Sequence, residues 1–202
     1  MNRYPIPADR ARIELKIANS RFIATIGPAT TVDAAKAFID EMRAEFSDAS
    51  HNVYAFKVGY GASVTEGMSD DGEPAGTAGK PALAVLRGED LGDVVVVVTR
   101  YFGGTKLGTG GLVRSYTQSV KEALKAMPVG ERVHTVTGTL KAPYSLYEQI
   151  RRLVEQEGGT ITEETFGAEV TLRLRFIVDE RDPFEHHLRE LSAGQLAVDW
   201  DA

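Results

Sequence analysis

The residue types best suited to chemistry are gathered in two glycine-rich blocks, since 13 of the 20 glycines fall between Gly59 and Gly111. The second block, RYFGGTKLGTGGLVRSY from Arg100 to Tyr116, sets Gly103, Gly104, Gly108, Gly110 and Gly111 among Arg100, Lys106 and Arg114. Glycines just before a helix let backbone N–H groups converge with no Cβ in the way, and the positive end of the helix dipole points at the same spot. Lys106 and Arg114 bring two cations there. A cation in the first helical turn opposes the dipole by roughly 0.3–1 kcal/mol, so Arg114 is best explained by an anion bound between the two, a phosphate or a carboxylate. The alternative is that the glycines only permit a tight strand-to-helix turn and that Arg114 meets a nearby acid. Both readings stand on the sequence alone.

The first block, SDDGEPAGTAGKP from Ser69 to Pro81, places Asp70, Asp71 and Glu73 within four residues, followed by Gly76, Thr77 and Gly79. Such acids would hold a hydrated Mg²⁺ or engage basic groups on a partner. Alternatively they form a solvated loop neutralised by Lys106 or Arg100. Neither block is a P-loop or a dinucleotide fingerprint, because Lys80 is followed by Pro81 and the run from Gly108 lacks the final glycine. His51 opens a strand and would serve as a general base or as a hydrogen-bonded strand-edge residue. His134, His186 and His187 read as structural or surface residues. With no cysteine there is no thiolate site, and no serine occupies a nucleophile elbow.

These residues need elements to position them. Period-two alternation gives strands over 11–18 and 21–26, and Thr30 with Asp33 resembles a capping box ahead of a helix whose stripe runs Val32, Ala35, Phe38, Ile39, Met42, Phe46. A strand follows over 52–60, then a loop over 61–80, a short helix opening at Pro81, and a strand over 93–100 whose five valines mark it as buried. The second glycine block leads into a helix with the stripe Leu112, Val113, Tyr116, Val120, Ala123, Leu124, Met127. Pro128 and Gly130 end it and set a boundary, giving domains 1–130 and 131–202. The remainder reads strand, helix, strand, strand, helix, strand (133–142, a helix capped at Ser145, 160–165, 169–178, a helix capped at Asp182 with Pro183 first, 195–200), the order of a ferredoxin-like βαββαβ domain.

Apolar residues make up 43% and charged residues 26%, a globular composition. The net charge of -6 belongs to residues 131–202, which hold 8 Lys/Arg against 14 Asp/Glu, whereas residues 1–130 hold 15 of each. Without a basic domain, binding to duplex DNA through many phosphates is not expected, and any anion site is local. In the last domain, alternation sends Val170, Leu172, Leu174 and Phe176 inward and Arg173 and Arg175 to a face without the exposed aromatics of RNA-recognition sheets. No apolar run approaches the ~18 residues of a membrane span, and the expectation is a soluble cytoplasmic protein without membrane contact.

The two blocks, the valine strand between them, Ser20-Arg21-Phe22 and His51 together resemble the signature of the YigZ/IMPACT family, over the whole chain. Asn19 and Val53 depart from it, standing where a lysine and a cysteine are frequent. The resemblance implies an α+β protein: an N-terminal two-layer α/β domain like that of a small-subunit ribosomal protein and RNase PH, then a ferredoxin-like domain similar to a late domain of elongation factor G. It adds Arg21 and His51 to the candidate ligand-binding residues. It also implies a link to translation, with ribosome, RNA or translation factors as partners, since eukaryotic relatives regulate translation by competing for the activator of the amino-acid-starvation kinase. The leading reading is therefore a non-enzymatic binding protein with an anion-binding glycine loop for RNA, phosphate or nucleotide, and no required cofactor. The alternatives are a Mg²⁺-dependent phosphoryl-transfer or hydrolytic enzyme, and an interaction module for a basic partner.

Overall fold

The computed structural model describes residues 3–201, and the chain separates into two compact units, one ending at Arg132 and the other beginning at Val133. The architecture is mixed α and β throughout. The first unit contains β1 (Arg3–Pro7), β2 (Ala11–Ile17), β3 (Ser20–Pro28), α1 (Val32–Glu45), β4 (His51–Tyr60), β5 (Ser63–Ser69), α2 (Gly79–Arg87), β6 (Val94–Tyr101), α3 (Gly108–Ala126) and β7 (Val129–Val133).

Five of these strands form an antiparallel sheet in the order β2-β3-β6-β4-β5, and β1 pairs with β7 in a separate ribbon. The central strand explains the layering. Val94, Val95, Val96, Val97 and Val98 are all fully buried (0%), so both faces of β6 need cover. By alternation, Val94, Val96 and Val98 pack with Phe22, Ile26 and the α2 and α3 residues Ala82, Leu86, Tyr116 and Val120. Val95 and Val97 pack instead with Phe38, Ile39 and Met42 of α1. The sheet therefore lies between helices, three layers deep, and the expected two-layer arrangement is corrected: a valine run buried on both sides cannot leave one face bare.

Several element boundaries also differ from expectation. Thr31, not Thr30, caps α1, its Oγ1 accepting from the Ala34 N–H at 3.0 Å. The segment read as a loop over 61–80 contains β5, an edge strand whose Val64 and Met68 face solvent, so it carries no alternating burial to announce it. β1 is hidden for a different reason, since Pro5 and Pro7 interrupt it and argue against a strand although Tyr4 is buried. Both glycine-block helices start early: α2 opens at Gly79, two residues ahead of Pro81, and α3 opens at Gly108 with the glycines inside its first turn.

The second unit contains β8 (Thr135–Ala142), a 3₁₀ turn (Tyr144–Leu146), α4 (Tyr147–Gln156), β9 (Thr160–Phe166), β10 (Val170–Ile177), α5 (Val178–Leu191) and β11 (Asp199–Trp200). Its sheet has the order β11-β8-β10-β9, all antiparallel, and its core joins Leu140, Leu172, Leu174 and Phe176 to Ile150, Val154, Phe184 and Leu188 of the two helices. Two expected helix starts move. α5 opens at Val178, ahead of the Asp182 cap, so Pro183 lies inside the helix, and Ser145 sits in the 3₁₀ turn ahead of α4. On the other sheet face Arg173 donates to Thr139 Oγ1 at 2.9 Å and pairs with Asp201.

Candidate functional site

The loop from β6 to α3 and the loop from β5 to α2 meet, and the two glycine blocks form one site. Its centre is a buried ion pair. Arg100 Nη1 donates to Glu73 Oε1 at 2.6 Å, with side chains only 6% and 3% exposed. The Tyr116 hydroxyl donates to the same Oε1 at 2.8 Å. Burial pushes the Tyr116 phenol far above its ordinary range and the negative charge of Glu73 pushes it further, so Tyr116 is a permanent donor. Arg100 Nη2 reaches Ser20 Oγ at 3.4 Å, and the guanidinium carbon lies 5.4 Å from the Phe22 ring centre and 5.6 Å from that of Phe102. Arg100 Nε is buried and, among the described residues, has no hydrogen-bond partner.

Ser20-Arg21-Phe22 shows how a strand divides labour. Alternation turns Ser20 and Phe22 inward to Arg100, and turns Arg21 to solvent, where it pairs with Glu14 at 2.8 Å and lies over Tyr101. Arg21, expected at the ligand, therefore belongs to a surface pair, and its two neighbours, which residue type alone did not single out, serve the site. Tyr116, read as part of an apolar stripe, is a third residue whose role at the site sequence reasoning missed.

The three acids go to three different tasks. Asp70 receives the N–H groups of Gly76 (2.8 Å), Ala78 (3.0 Å) and Gly79 (2.8 Å) and so caps α2. Burial alone would raise its pKa, but the Gly76, Gly79 and Ala78 amides outweigh that and hold the carboxyl below its ordinary value. Asp71 accepts from the Asn52 N–H at 2.7 Å and from Arg43 at 3.3 Å. Glu73 is the buried partner of Arg100, so the solvated acidic loop is corrected at that residue. Thr77 donates to the Pro74 carbonyl at 2.6 Å. Among the described residues no group of three or more His, Asp or Glu side chains is placed to hold a metal ion.

His51 joins the same cluster. Its Nδ1 lies 2.8 Å from the Asp71 carbonyl oxygen, which only accepts, so Nδ1 carries a proton, and Nε2 lies 3.8 Å from Glu73 Oε1. The strand it opens is interior to the sheet, between β6 and β5, rather than an edge.

Above the ion pair lies a cavity of about 360 Å³ lined by Glu73, Pro74, Arg100, Phe102 and the residues from Lys106 to Thr109 and Leu112. Its rim is the start of α3. That helix has no side-chain cap and no acid in its first turn, and Gly108 enters it at φ +68, a conformation that a side chain would strain. Gly103 has a different duty: a Cβ there would sit 2.0 Å from the Asn19 carbonyl oxygen, and its N–H donates to Ser20 Oγ at 3.2 Å. Gly104, at φ +87, faces open space. Lys106 and Arg114 are exposed, and among the described residues neither has an ion-pair or hydrogen-bond partner; the acid that the tight-turn reading gave Arg114 is not there. Because α3 opens at Gly108, Arg114 stands in its second turn and not in the first as expected, so the expected repulsion from the helix dipole is corrected; its side chain folds back over the first turn, where a Cβ on Gly110 would be 3.6 Å from its Nη1. Gly111 is held by its carbonyl, which accepts from Ser115 Oγ at 2.9 Å.

This geometry lies within a matched region of known sequence. The Impact N-terminal domain matches residues 18–124, which include both glycine blocks, and a domain of unknown function, DUF1949, matches residues 140–195. The IMPACT family member YigZ of Escherichia coli (strain K12) is 39% identical over 199 residues, 98% of each chain. The chain belongs to the IMPACT family. Protein IMPACT of Xenopus laevis is 33% identical over 93 residues, 44% of this chain and 29% of that protein, so this IMPACT-family chain shares with it only part of each sequence. A crystal structure described as that of a hypothetical protein matches the fold at a TM-score of 0.71 and 38% identity, covering 98% of this chain and 97% of that one. Among the described residues no helix is long and apolar enough to cross a membrane.

Proposed function

We propose that this IMPACT-family protein is a non-enzymatic binding protein linked to translation or its regulation, holding an anion of RNA, of a nucleotide or of a translation factor at the start of α3. The observation that carries the reading is the uncapped glycine turn flanked by the unpaired Lys106 and Arg114. Four orphan N–H groups at a helix start want acceptors, and two cations without acids beside them want an anion. The buried Glu73–Arg100 pair adds support, because its desolvation is poorly repaid by stability alone, whereas it gives the cavity a fixed polar floor. The translation link follows from family membership together with the regulatory role that the sequence resemblance implies for eukaryotic relatives. The finer fold reading goes with it. The strand order β11-β8-β10-β9 with two helices supports a ferredoxin-like second unit, and the first unit is read as like the ribosomal-protein/RNase PH domain. We place the protein in the cytoplasm.

A thermal-shift series with phosphate, short RNA and Mg²⁺ tests the reading, since a ligand at about 100 times its Kd stabilises by roughly 2.7 kcal/mol. The expected result is a shift with phosphate or RNA that Lys106→Ala and Arg114→Ala each diminish, more so at low salt. No shift with any anion defeats it. A shift requiring Mg²⁺ together with nucleotide, accompanied by turnover, would establish the enzyme reading instead.

A further inference from the structure

The cavity beside α3 has more than an inorganic anion would use. Pro74, Phe102, Leu107 and Leu112 give it apolar walls, and Phe102 leaves 50% of its surface exposed. Phosphate gains nothing from such walls. A volume of about 360 Å³ suits one small organic ligand; pockets of that kind run from roughly 300 to 1,000 Å³. The polar groups are divided within it. Lys106 and the open first turn of α3 offer charge and N–H donors at the rim, while the Arg100 guanidinium lies 5.6 Å from the Phe102 ring centre on the floor. Arg100 Nε is a buried donor with no partner among the described residues, in a side chain that lines the cavity and is itself only 5% exposed.

We propose that this cavity binds a nucleoside monophosphate unit, free or as an unpaired nucleotide of single-stranded RNA. The inference rests on the anion reading above and adds a base subsite to it. The phosphate sits against the α3 amides and Lys106, and the base lies flat on Phe102, whose ring is backed by a cation. Arg100, held by Glu73 at 2.6 Å, closes the floor beneath it. A lone aromatic platform accepts any base through its π-face, so the site selects for a stacked base rather than for a sequence.

Calorimetric titration of the full-length protein at low salt separates the parts, using inorganic phosphate, adenosine 5′-monophosphate and a short single-stranded oligoadenylate. The monophosphate should bind at least about tenfold more tightly than phosphate, the scale of one stacking contact. Phe102→Ala should bring it down to the phosphate level and leave phosphate binding unchanged, whereas Lys106→Ala should weaken both. Phe102→Trp should keep the preference, and its indole emission should be quenched by the monophosphate but not by phosphate. An oligonucleotide that binds more tightly, with a steeper salt dependence, identifies RNA as the source, and equal affinity identifies the free nucleotide. Equal affinities for phosphate and monophosphate, both unmoved by Phe102→Ala, would overturn the base subsite while leaving the anion reading intact. Failure of all three probes to bind would defeat both.

Discussion

Glu73→Gln is the most informative single perturbation of the first unit. Both contacts to Glu73 that lie within hydrogen-bond distance, from Arg100 Nη1 at 2.6 Å and from the Tyr116 hydroxyl at 2.8 Å, go to Oε1, so a glutamine with its carbonyl oxygen in that place keeps both in shape. It removes only the charge. Arg100 is then left as a buried cation with no counter-ion, its side chain 6% exposed. Breaking such a pair by removing one partner costs about 3–5 kcal/mol. For a unit of this size that is a drop of roughly 12–20 °C in Tm. Removing both charges with Glu73→Gln/Arg100→Met should recover much of the loss, giving a coupling of about 2 kcal/mol or more in a double-mutant cycle. Urea unfolding followed by far-UV circular dichroism reads both units, whereas emission of the single tryptophan, Trp200, reads only the second, so comparing the two isolates the effect. A Glu73→Gln protein within about 1 kcal/mol of the parent, or a double variant as unstable as the sum of the singles, would refute the argument that Arg100 depends on this carboxylate.

Asp70→Asn should cost about 1–2 kcal/mol at pH 7, because Oδ1 accepts from Ala78 and Gly79 and Oδ2 from Gly76, and an amide nitrogen in the place of either oxygen leaves N–H groups unsatisfied. Because the folded Asp70 carboxyl titrates below its unfolded value near 3.9, its contribution is fully present above about pH 4 and is lost as pH falls through the folded value, so the parent and variant stability curves should converge in acid. Urea midpoints measured between pH 2.5 and 7 check this, and a gap that widens in acid would contradict it. Tyr116→Phe deletes one hydrogen bond to a buried carboxylate and should cost about 1.5–3 kcal/mol in the same unfolding assay, while leaving the phosphate-induced shift in place, since Tyr116 lies outside the α3 rim.

What the sequence made legible follows from the range of the interactions involved. The five valines of β6 and the stripes of α1 and α3 are local patterns, so a strand buried on both faces and two amphipathic helices could be read directly. The long-range pairings could not: Ser20 and Arg100 are 80 residues apart, and Glu73 and Tyr116 are 43 apart. The family resemblance singled out Arg21, which alternation turns to solvent and into a pair with Glu14, and the helical stripe gave Tyr116 to the core without its hydroxyl's role. The capping of α2 was equally hidden, because Asp70 precedes Gly79 by nine residues and the helix start carries no cap of its own. Proximity of the acids at 70–73 hinted at a shared ligand, yet the backbone turns each one to a different neighbour. The glycine turn with Lys106 and Arg114 was visible because its parts are adjacent in the chain.

The ribbon of β1 and β7 lies apart from the five-stranded sheet, and it joins the beginning of the first unit to its end, with the Ala8 N–H donating to the Pro128 carbonyl at 2.8 Å. Arg132, the last residue of that unit, is pinned by its 2.5 Å contact with the buried Asp93, which also accepts from Tyr4 at 2.9 Å. Entry and exit thus sit side by side on one buried carboxylate. In engineering terms the unit is a cassette: residues 3–132 can be cut out and spliced into a surface loop of another protein through two adjacent ends, or permuted by joining those ends and reopening the chain at the Gly61 turn. Tension applied through both ends should load this short ribbon before the sheet that carries the candidate site.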